Sequence, residues 1–189
     1  MKDLMVRISL GGLLALGLGP ALADRAPAAA AKDSDVLLTA MQQELQRAQG
    51  ALGKLDPPPY FMSYGVYDQS VTVAVGIQGG LVNFTDTHAR PADVVVRVGA
   101  PALDNTHEGQ QATAISSGAV PLADDADAIT HALWQLTYGE YRKASQAYLN
   151  TKTKTQVNAK EEDTSPDFSV ETSLVHADHT PLPPAPDPE

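Results

Sequence analysis

The chain contains no cysteine among its 189 residues, and it has few basic residues. Without cysteine it can form neither a disulfide nor a thiolate metal site, so its stability has to come from a hydrophobic core. Lysine and arginine number 13 against 23 aspartates and glutamates, which gives a net charge of −10. A chain this acidic repels nucleic acids and anionic membrane surfaces, and we expect neither as a partner.

Residues 1–23 have the features of a secretory signal peptide. Lys2 and Arg7 supply a positive start, residues 8–18 are mostly apolar, and Ala21-Leu22-Ala23 matches a small-x-small cleavage site. The apolar run is shorter than the roughly 20 residues of a membrane-spanning helix. We therefore predict cleavage after Ala23, an exported protein that is periplasmic or secreted, and no membrane association after cleavage.

The remaining residues divide into three parts. Residues 24–33 contain an alanine run and are predicted to form a flexible lead-in. Residues 34–175 carry the periodic apolar patterns and are predicted to form a single α+β domain. Residues 176–189 form a proline-rich tail or linker, because residues 180–189 hold five prolines and no periodic pattern.

Two helices are predicted. Apolar residues recur at spacings of three and four over residues 37–55, after cap candidates Ser34 and Asp35 and before three consecutive prolines, which end a helix. A longer helix of about 26 residues is predicted within residues 121–153, where aspartates can cap the start and complement the helix dipole. Its apolar side chains adjoin an aromatic row, for which we expect core packing rather than a ligand groove. The row contains Trp134, Tyr138, Tyr141 and Tyr148.

Between the helices lie four predicted strands, at residues 60–67, 70–77, 81–88 and 92–98. Their residues alternate between polar and apolar, and Gly79-Gly80 is a hairpin signal. Residues 99–119 are predicted to be a loop with at most one short strand. The sequence thus predicts an α+β fold in which an antiparallel meander of about four strands is covered by one medium and one long helix. We expect Leu133, Trp134 and Leu136 to face sheet valines, namely Val73, Val75, Val94 or Val96.

The chain carries no complete catalytic or metal-binding motif. His107-Glu108 resembles the start of a zinc-peptidase motif, but Gln111 and Ala112 stand where a second histidine would have to lie. Acidic residues at 124, 125 and 127 lack the glycine and distal glutamate of a calcium loop. The other histidines are His88, His131, His176 and His179. Only His176 and His179, in the tail, lie close to each other in sequence. We therefore predict no catalytic, cofactor-binding or metal-binding residue in this chain.

Four segments together resemble the amino-terminal region of TldD/PmbA-like proteins, a bacterial family related to metallopeptidases, and its exported members in particular. They are residues 58–68 (PPYFMSYGVYD), residues 94–108 (VVVRVGAPALDNTHE), residues 121–148 and residues 166–169 (PDFS). The order and spacing of the segments carry the resemblance, which covers residues 35–180. It implies that zinc belongs to a His-Glu-x-x-x-His helix downstream of the matched region, so no catalytic residue is assigned to this chain.

The resemblance leads to two hypotheses about function. In the first, the chain is a non-catalytic amino-terminal domain, as a fragment of an exported TldD/PmbA-like protein. It would then act as a scaffold or substrate-channel wall beside a downstream peptidase domain or a paralogous subunit, with a peptide as substrate. In the second, it is a stand-alone exported binding or adaptor module without enzymatic activity.

Overall fold

The protein is described by a computed structural model over residues 2–11, 36–157, 165–169 and 171–181. These residues form two helices, short 3-10 turns and one sheet of seven strands. The helices are α1 (Val36–Leu52) and α2 (Ala126–Val157). The strands are β1 (Lys2–Gly11), β2 (Pro59–Ile77), β3 (Gly80–Ala89), β4 (Pro91–Ala100), β5 (Leu103–Asp104), β6 (Ile115–Ala119) and β7 (Leu174–Pro181).

Helix α1 forms because its apolar residues return to one face every three or four positions. That face is buried and carries Leu37, Ala40, Met41, Leu45, Ala48 and Leu52. The helix ends at Leu52, and the amide of Gly53 donates to the carbonyl of Gln49 at 3.0 Å. The predicted helix is confirmed, although it ends before Leu55.

Helix α2 is the predicted long helix, and its start is capped as expected. The carboxylate Oδ1 of Asp125 accepts hydrogen bonds from the amides of Asp127 and Ala128 at 3.0 and 3.1 Å. Such a cap satisfies amide groups that have no partner within the helix. The helix contains 32 residues, so it extends beyond the predicted end at residue 153.

The sheet is antiparallel at every described pairing, in the order β5-β4-β2-β1-β7, with β3 paired to β2 and β6 paired to β4. The predicted α+β class, with an antiparallel sheet and two covering helices, is confirmed. Two predicted strands, 60–67 and 70–77, are one continuous 19-residue strand, β2. The core residues of the first half are at even positions (Met62, Tyr64 and Val66), whereas the valines of the second half are at odd positions, so the apolar residues change faces along the strand.

The core lies between one face of the sheet and the two helices. Met62, Tyr64 and Val66 of β2 are buried there. They form one cluster with alternate residues of β4 and with buried side chains of α2. The β4 residues are Ala92, Val94, Val96 and Val98, and those of α2 are Ile129, Leu133, Tyr141 and Ala144. Leu136 and Tyr148 pack against this cluster while remaining partly exposed. The predicted packing of Leu133 and Leu136 toward the Val94 and Val96 side of the sheet is thus observed.

Three residues that we expected in this core are exposed instead. Trp134 is 39% exposed, and Val73 and Val75 are 45% and 42% exposed. Trp134 follows Leu133 by one position, and neighbouring helix positions point about 100° apart, so both cannot face the sheet. Val73 and Val75 lie on the part of β2 that extends beyond the helices with β3.

The predicted segments at the two ends of the chain can be compared with strands β1 and β7. Lys2–Gly11 pairs with β2 and β7 as strand β1, while residues 12–35, which hold the predicted cleavage site and lead-in, lie outside the described residues. Strand β7 crosses the predicted start of the tail at residue 176, and residues 182–189 also lie outside. Neither α1 nor α2 is long and apolar enough to cross a membrane.

Candidate functional site

Three of the segments that carry the family resemblance meet at one edge of the sheet. Residues 58–68 supply Tyr60 at the start of β2, and residues 94–108 supply the end of β4 and the turn after it. The tail piece 166–169 packs against both. We call the resulting group the Asp104 cluster; it comprises Tyr60, Arg97, Asp104, Thr106, His107, Asp167 and Phe168.

Asp104 is the centre of the cluster, and its side chain is completely buried. Its Oδ2 atom accepts hydrogen bonds from the hydroxyl of Tyr60 at 2.6 Å and from Nη1 of Arg97 at 2.7 Å. Its Oδ1 atom accepts from the amide and the hydroxyl of Thr106, both at 2.6 Å. Four donors, one of them a guanidinium nitrogen, offset the cost of removing the carboxylate from water.

The shifted pKa values of Asp104 and Tyr60 follow from this geometry. Burial acts to raise the pKa of Asp104, but the hydrogen bonds from Thr106, Tyr60 and Arg97 outweigh it and hold that pKa below its usual value. Burial, together with the hydrogen bond that it donates to Asp104, raises the pKa of Tyr60. Around pH 7 the cluster therefore contains a charged carboxylate at Asp104 and a neutral phenol at Tyr60.

Residues 165–169 are held on this cluster from both the backbone and the side chains. Asp167 accepts from the amide of Asp104 at 2.8 Å, and its other oxygen lies 2.7 Å from Nδ1 of His107. The amide of Phe168 donates to the carbonyl of Pro101 at 3.1 Å. The guanidinium carbon of Arg97 lies over the ring of Phe168, 4.0 Å from the ring centroid. The same ring packs on the ring of Phe61, with the two centroids 5.0 Å apart. The segment is thus held by hydrogen bonds of its backbone and of Asp167 and by ring contacts of Phe168.

The turn beneath the cluster explains two further residues of the resembling segment. Asn105 is buried; its Oδ1 accepts from the amide of Val98 at 2.7 Å, and its amide group donates to the carbonyl of Thr113 at 2.8 Å. Gly99 has a φ of +110°, and a side chain there would lie 2.7 Å from the carbonyl of Leu103 and would overlap the ring of Tyr148. Only glycine fits this close approach of β4 to the turn and to α2.

The structure also accounts for the histidines and acids that the sequence singled out. His107 bonds Asp167, and His88 bonds Asp68 at 2.5 Å. His131 stacks on Trp134 with ring centroids 5.6 Å apart, and Asp124 pairs with Arg90 at 2.8 Å. His176 and His179 lie in β7, where His176 is exposed. Within the described ranges, no three histidine, aspartate or glutamate side chains converge as a metal site.

A pocket of about 500 Å³ opens beside the cluster, between α1 and the start of β2. It is lined by Gln46, Gln49, Gly50, Pro59 and Tyr60. Its polar groups are amides and a phenol whose hydrogen is already donated to Asp104. Amides can bind a peptide backbone, but this pocket offers no nucleophile paired with a base, so it lacks the parts of a hydrolytic site.

Two apolar surfaces lie away from the cluster. On α2, His131, Trp134 and Tyr138 form an exposed aromatic row; the rings of Trp134 and Tyr138 are stacked with centroids 6.1 Å apart, and Tyr138 is 44% exposed. Of the four residues of the predicted aromatic row, Trp134 and Tyr138 are exposed, so the expected core packing is wrong for them; Tyr141 is buried and Tyr148 packs against the core while partly exposed. The second surface is the extended pair of strands formed by the far half of β2 and by β3.

Sequence reasoning did not identify the Asp104 cluster as a unit. Its residues lie far apart in the chain, with 44 positions between Tyr60 and Asp104 and 63 between Asp104 and Asp167. All of its residues lie in three of the four segments quoted for the resemblance, and residues 121–148 supply none of them. Comparison with known proteins finds no match among protein-family models, curated proteins or solved structures.

Proposed function

We propose that this protein is a non-catalytic amino-terminal domain of an exported TldD/PmbA-like protein, in which it acts as a scaffold or as part of the wall of a substrate channel. The observation that carries the proposal is the Asp104 cluster. The residues that the resembling segments contribute to it are bonded to one another rather than scattered over the surface.

A scaffold role agrees with the chemistry of the cluster. Its ionisable side chains are paired: Arg97 with Asp104 and His107 with Asp167, at 2.7 Å in each case. Groups that are already paired and largely buried fix the position of a segment better than they bind or convert a substrate. The segment so fixed, 165–169, follows α2 in the chain, and the cluster therefore defines where the chain leaves this edge of the sheet.

In this proposal, peptide hydrolysis and its zinc belong to a separate peptidase part that carries the His-Glu-x-x-x-His helix. The pocket next to Tyr60 is the place where an extended peptide could contact the domain, through Gln46 and Gln49. The domain would thus contribute peptide contacts and positioning, whereas the peptidase part would contribute the metal and the reacting groups.

The test uses the purified chain with and without a polypeptide from the same genome that carries such a helix. The chain alone should retain no stoichiometric zinc after dialysis and should not cleave an unstructured peptide, and cleavage should appear when the two are combined. Asp104→Ala, which disrupts the cluster, should weaken their association, whereas Asp86→Ala on β3 should not. One equivalent of zinc that is lost in His107→Ala would overturn the proposal, as would the failure of the two polypeptides to associate.

The alternative, a stand-alone exported binding or adaptor module, is favoured by the aromatic row of His131, Trp134 and Tyr138. Exposed tryptophan and tyrosine are enriched in protein interfaces because they bury a large area at a low cost in conformational entropy. The genomic sequence downstream of this reading frame separates the two hypotheses. A neighbouring frame that encodes the His-Glu-x-x-x-His helix supports the peptidase assembly, and an unrelated neighbour supports the module.

A further inference from the structure

Strand β1 is an interior strand of the sheet, although it lies within the segment that the proposed export would remove. It occupies the position between β2 and β7 in the strand order. Eight residue pairs join it to β2 and eight join it to β7, and both ladders are antiparallel. Cleavage after Ala23 would leave a space one strand wide between two edges that β1 had paired. We call this space, bordered by residues 61–68 of β2 and 174–181 of β7, the strand gap.

The loss of both ladders makes the strand gap unfavourable to leave open. An antiparallel ladder carries on average about one backbone hydrogen bond for each residue pair, so β1 takes part in about sixteen. Backbone amides and carbonyls in folded proteins are nearly always paired, and an unpaired strand edge recruits another strand. Within the described part of the chain, β7 is paired to no strand other than β1. With the gap open, β7 loses its only ladder and β2 has a free edge beside the core.

The residues that border the gap define the strand that fits it. Met62, Tyr64 and Val66 of β2 lie in the core and are at most 2% exposed. Their register partners in β1 are all apolar, namely Leu10, Ile8 and Val6. The residues between these partners, Arg7 and Ser9, are polar. A fitting strand therefore has about eight extended residues with an apolar residue at every second position, because a shift by one residue exchanges the two faces.

Strand β7 of the same chain does not meet this requirement. It runs antiparallel to β1, which runs antiparallel to β2, so β7 in its present direction would form a parallel ladder with β2. Parallel pairing is slightly less stable for each residue. The register partners of Val6 and Leu4 in β7 are Ala177 and His179. Closure of the gap by β7 would thus put an alanine and a histidine at positions where β1 has a valine and a leucine.

We propose that in the exported protein the strand gap receives an extended segment of a separate polypeptide, which pairs antiparallel with both edges as β1 does in the uncleaved chain. Strand addition of this kind gains affinity from main-chain hydrogen bonds and specificity from the side chains at alternate positions. The proposal rests on the export that is part of the proposed function, because only cleavage vacates the gap. It identifies the interface of the proposed assembly as a backbone ladder, in which the partner supplies one strand of this sheet.

The first experiment measures whether the vacated gap binds a strand. The probe is a synthetic peptide of residues 2–11 that carries a fluorophore, and the protein is the purified exported form with Asp24 as its first residue. The peptide should bind saturably at one copy per chain, as measured by fluorescence anisotropy. The uncleaved full chain, in which β1 fills the gap, should not bind it.

Two substitutions in the peptide test the register. Val6→Asn should weaken binding at least tenfold, because residue 6 stands opposite the completely buried Val66. Arg7→Asn is the matched control, since residue 7 stands opposite Gly65 on the other face of the sheet. This control should change the Kd less than about threefold, within the range of a partly exposed polar contact.

Hydrogen exchange locates the bound peptide. Exchange should slow in residues 61–68 and 174–181 when the peptide is added, because both edges regain a ladder. Exchange should remain unchanged in residues 115–119 of β6, which pair with β4. Protection of both edges together distinguishes strand addition from adhesion of an apolar peptide to another surface.

Three results in protein that begins at Asp24 would overturn the proposal. They are the absence of saturable binding, equal weakening by the two substitutions, and protection of residues 61–68 without peptide, which would show that β7 has closed the gap. Co-purification of the fragment 1–23 would also overturn it, since the chain's own leader would then fill the gap. Retention of Met1 is a different result, because it contradicts the export itself and leaves β1 in place.

Discussion

At the scale of the residue, a single carboxylate accounts for much of the local architecture. Asp104 joins β2 through Tyr60, β4 through Arg97 and the following turn through Thr106. The guanidinium and the aspartate lie 2.7 Å apart and are both largely buried. Removing one partner of such a pair leaves an uncompensated charge, so the loss is larger than for an exposed pair.

We expect Asp104→Asn to destabilise the protein, and to change how stability depends on pH. The pKa of Asp104 is lower in the folded protein than its unfolded value of about 3.9. Its contribution to stability is therefore fully present above the unfolded pKa and is lost as the pH falls through the folded pKa. The wild type should lose stability in acid below about pH 4, and the substitution should reduce that loss.

The measurement is urea unfolding at pH 7 and at several acidic values. Asp104→Asn should cost about 3 kcal/mol at pH 7, because it removes the charge that compensates Arg97. Asp86→Asn is the matched control; Asp86 is exposed and bonds only Thr72, so we expect a change under about 0.5 kcal/mol. Parallel acid profiles for the wild type and Asp104→Asn would show that another carboxylate governs the acid response.

At the scale of the element, the broad apolar stripe of α2 is buried on one side and exposed on the other. Ile129, Leu133 and Ala144 are buried against the sheet, whereas Trp134 and Tyr138 face outward. Thr137 is buried too, where its hydroxyl lies 2.7 Å from that of Tyr64 and also donates to the carbonyl of Leu133 at 2.7 Å. The face toward the core thus includes a threonine and excludes the tryptophan, which hydrophobicity alone does not predict.

Substitutions in two adjacent residues of α2 should therefore have very different effects. Leu133→Ala should cost about 2–5 kcal/mol, because it removes a completely buried side chain. Trp134→Ala should cost less than about 1 kcal/mol, because the ring is 39% exposed and packs on the neighbouring rings of the row. Chemical denaturation of the two variants measures the difference. Equal losses would mean that a partner or a second copy covers Trp134.

At the scale of the whole molecule, the predicted export would change the sheet. Cleavage after Ala23 would remove β1, which pairs with Phe61–Asp68 of β2 and with Leu174–Pro181 of β7. The edge of β2 and the partner edge of β7 would then lose their hydrogen bonds to β1. The uncleaved and cleaved forms should consequently differ in the hydrogen bonding of those backbone amides of β2 and β7 that face β1.

Mass spectrometry of the protein from its native cells should find Asp24 as the first residue. Hydrogen exchange should then be faster in residues 61–68 than in the uncleaved chain, since amides of an unpaired edge exchange with solvent more easily. The pairing of β4 with β6 serves as the internal reference, because cleavage of β1 leaves it in place. Retention of Met1 in the native protein would contradict the export hypothesis.

The sequence by itself determined the fold class, the two helices and the positions of strands β2, β3 and β4. These features follow from local patterns: spacings of three and four in α1, the capping aspartate of α2, and the alternation in β2 and β3. Strand β2 was predicted as two pieces because Asp68 interrupts its apolar character. In the structure that aspartate accepts hydrogen bonds from His88 and Arg90, at 2.5 and 2.7 Å, and the strand continues.

Only the tertiary structure decided which apolar residues are buried and which polar residues meet. Val73 and Val94 are both strand valines, yet Val73 is 45% exposed and Val94 is completely buried, because Val94 lies on the face of the sheet that packs against α2 and Val73 lies on the opposite face. The meeting of Tyr60, Asp104 and Asp167 depends likewise on pairings between distant segments, which local periodicity does not encode. Periodicity fixes the face on which a residue lies, and the packing of whole elements fixes what covers that face.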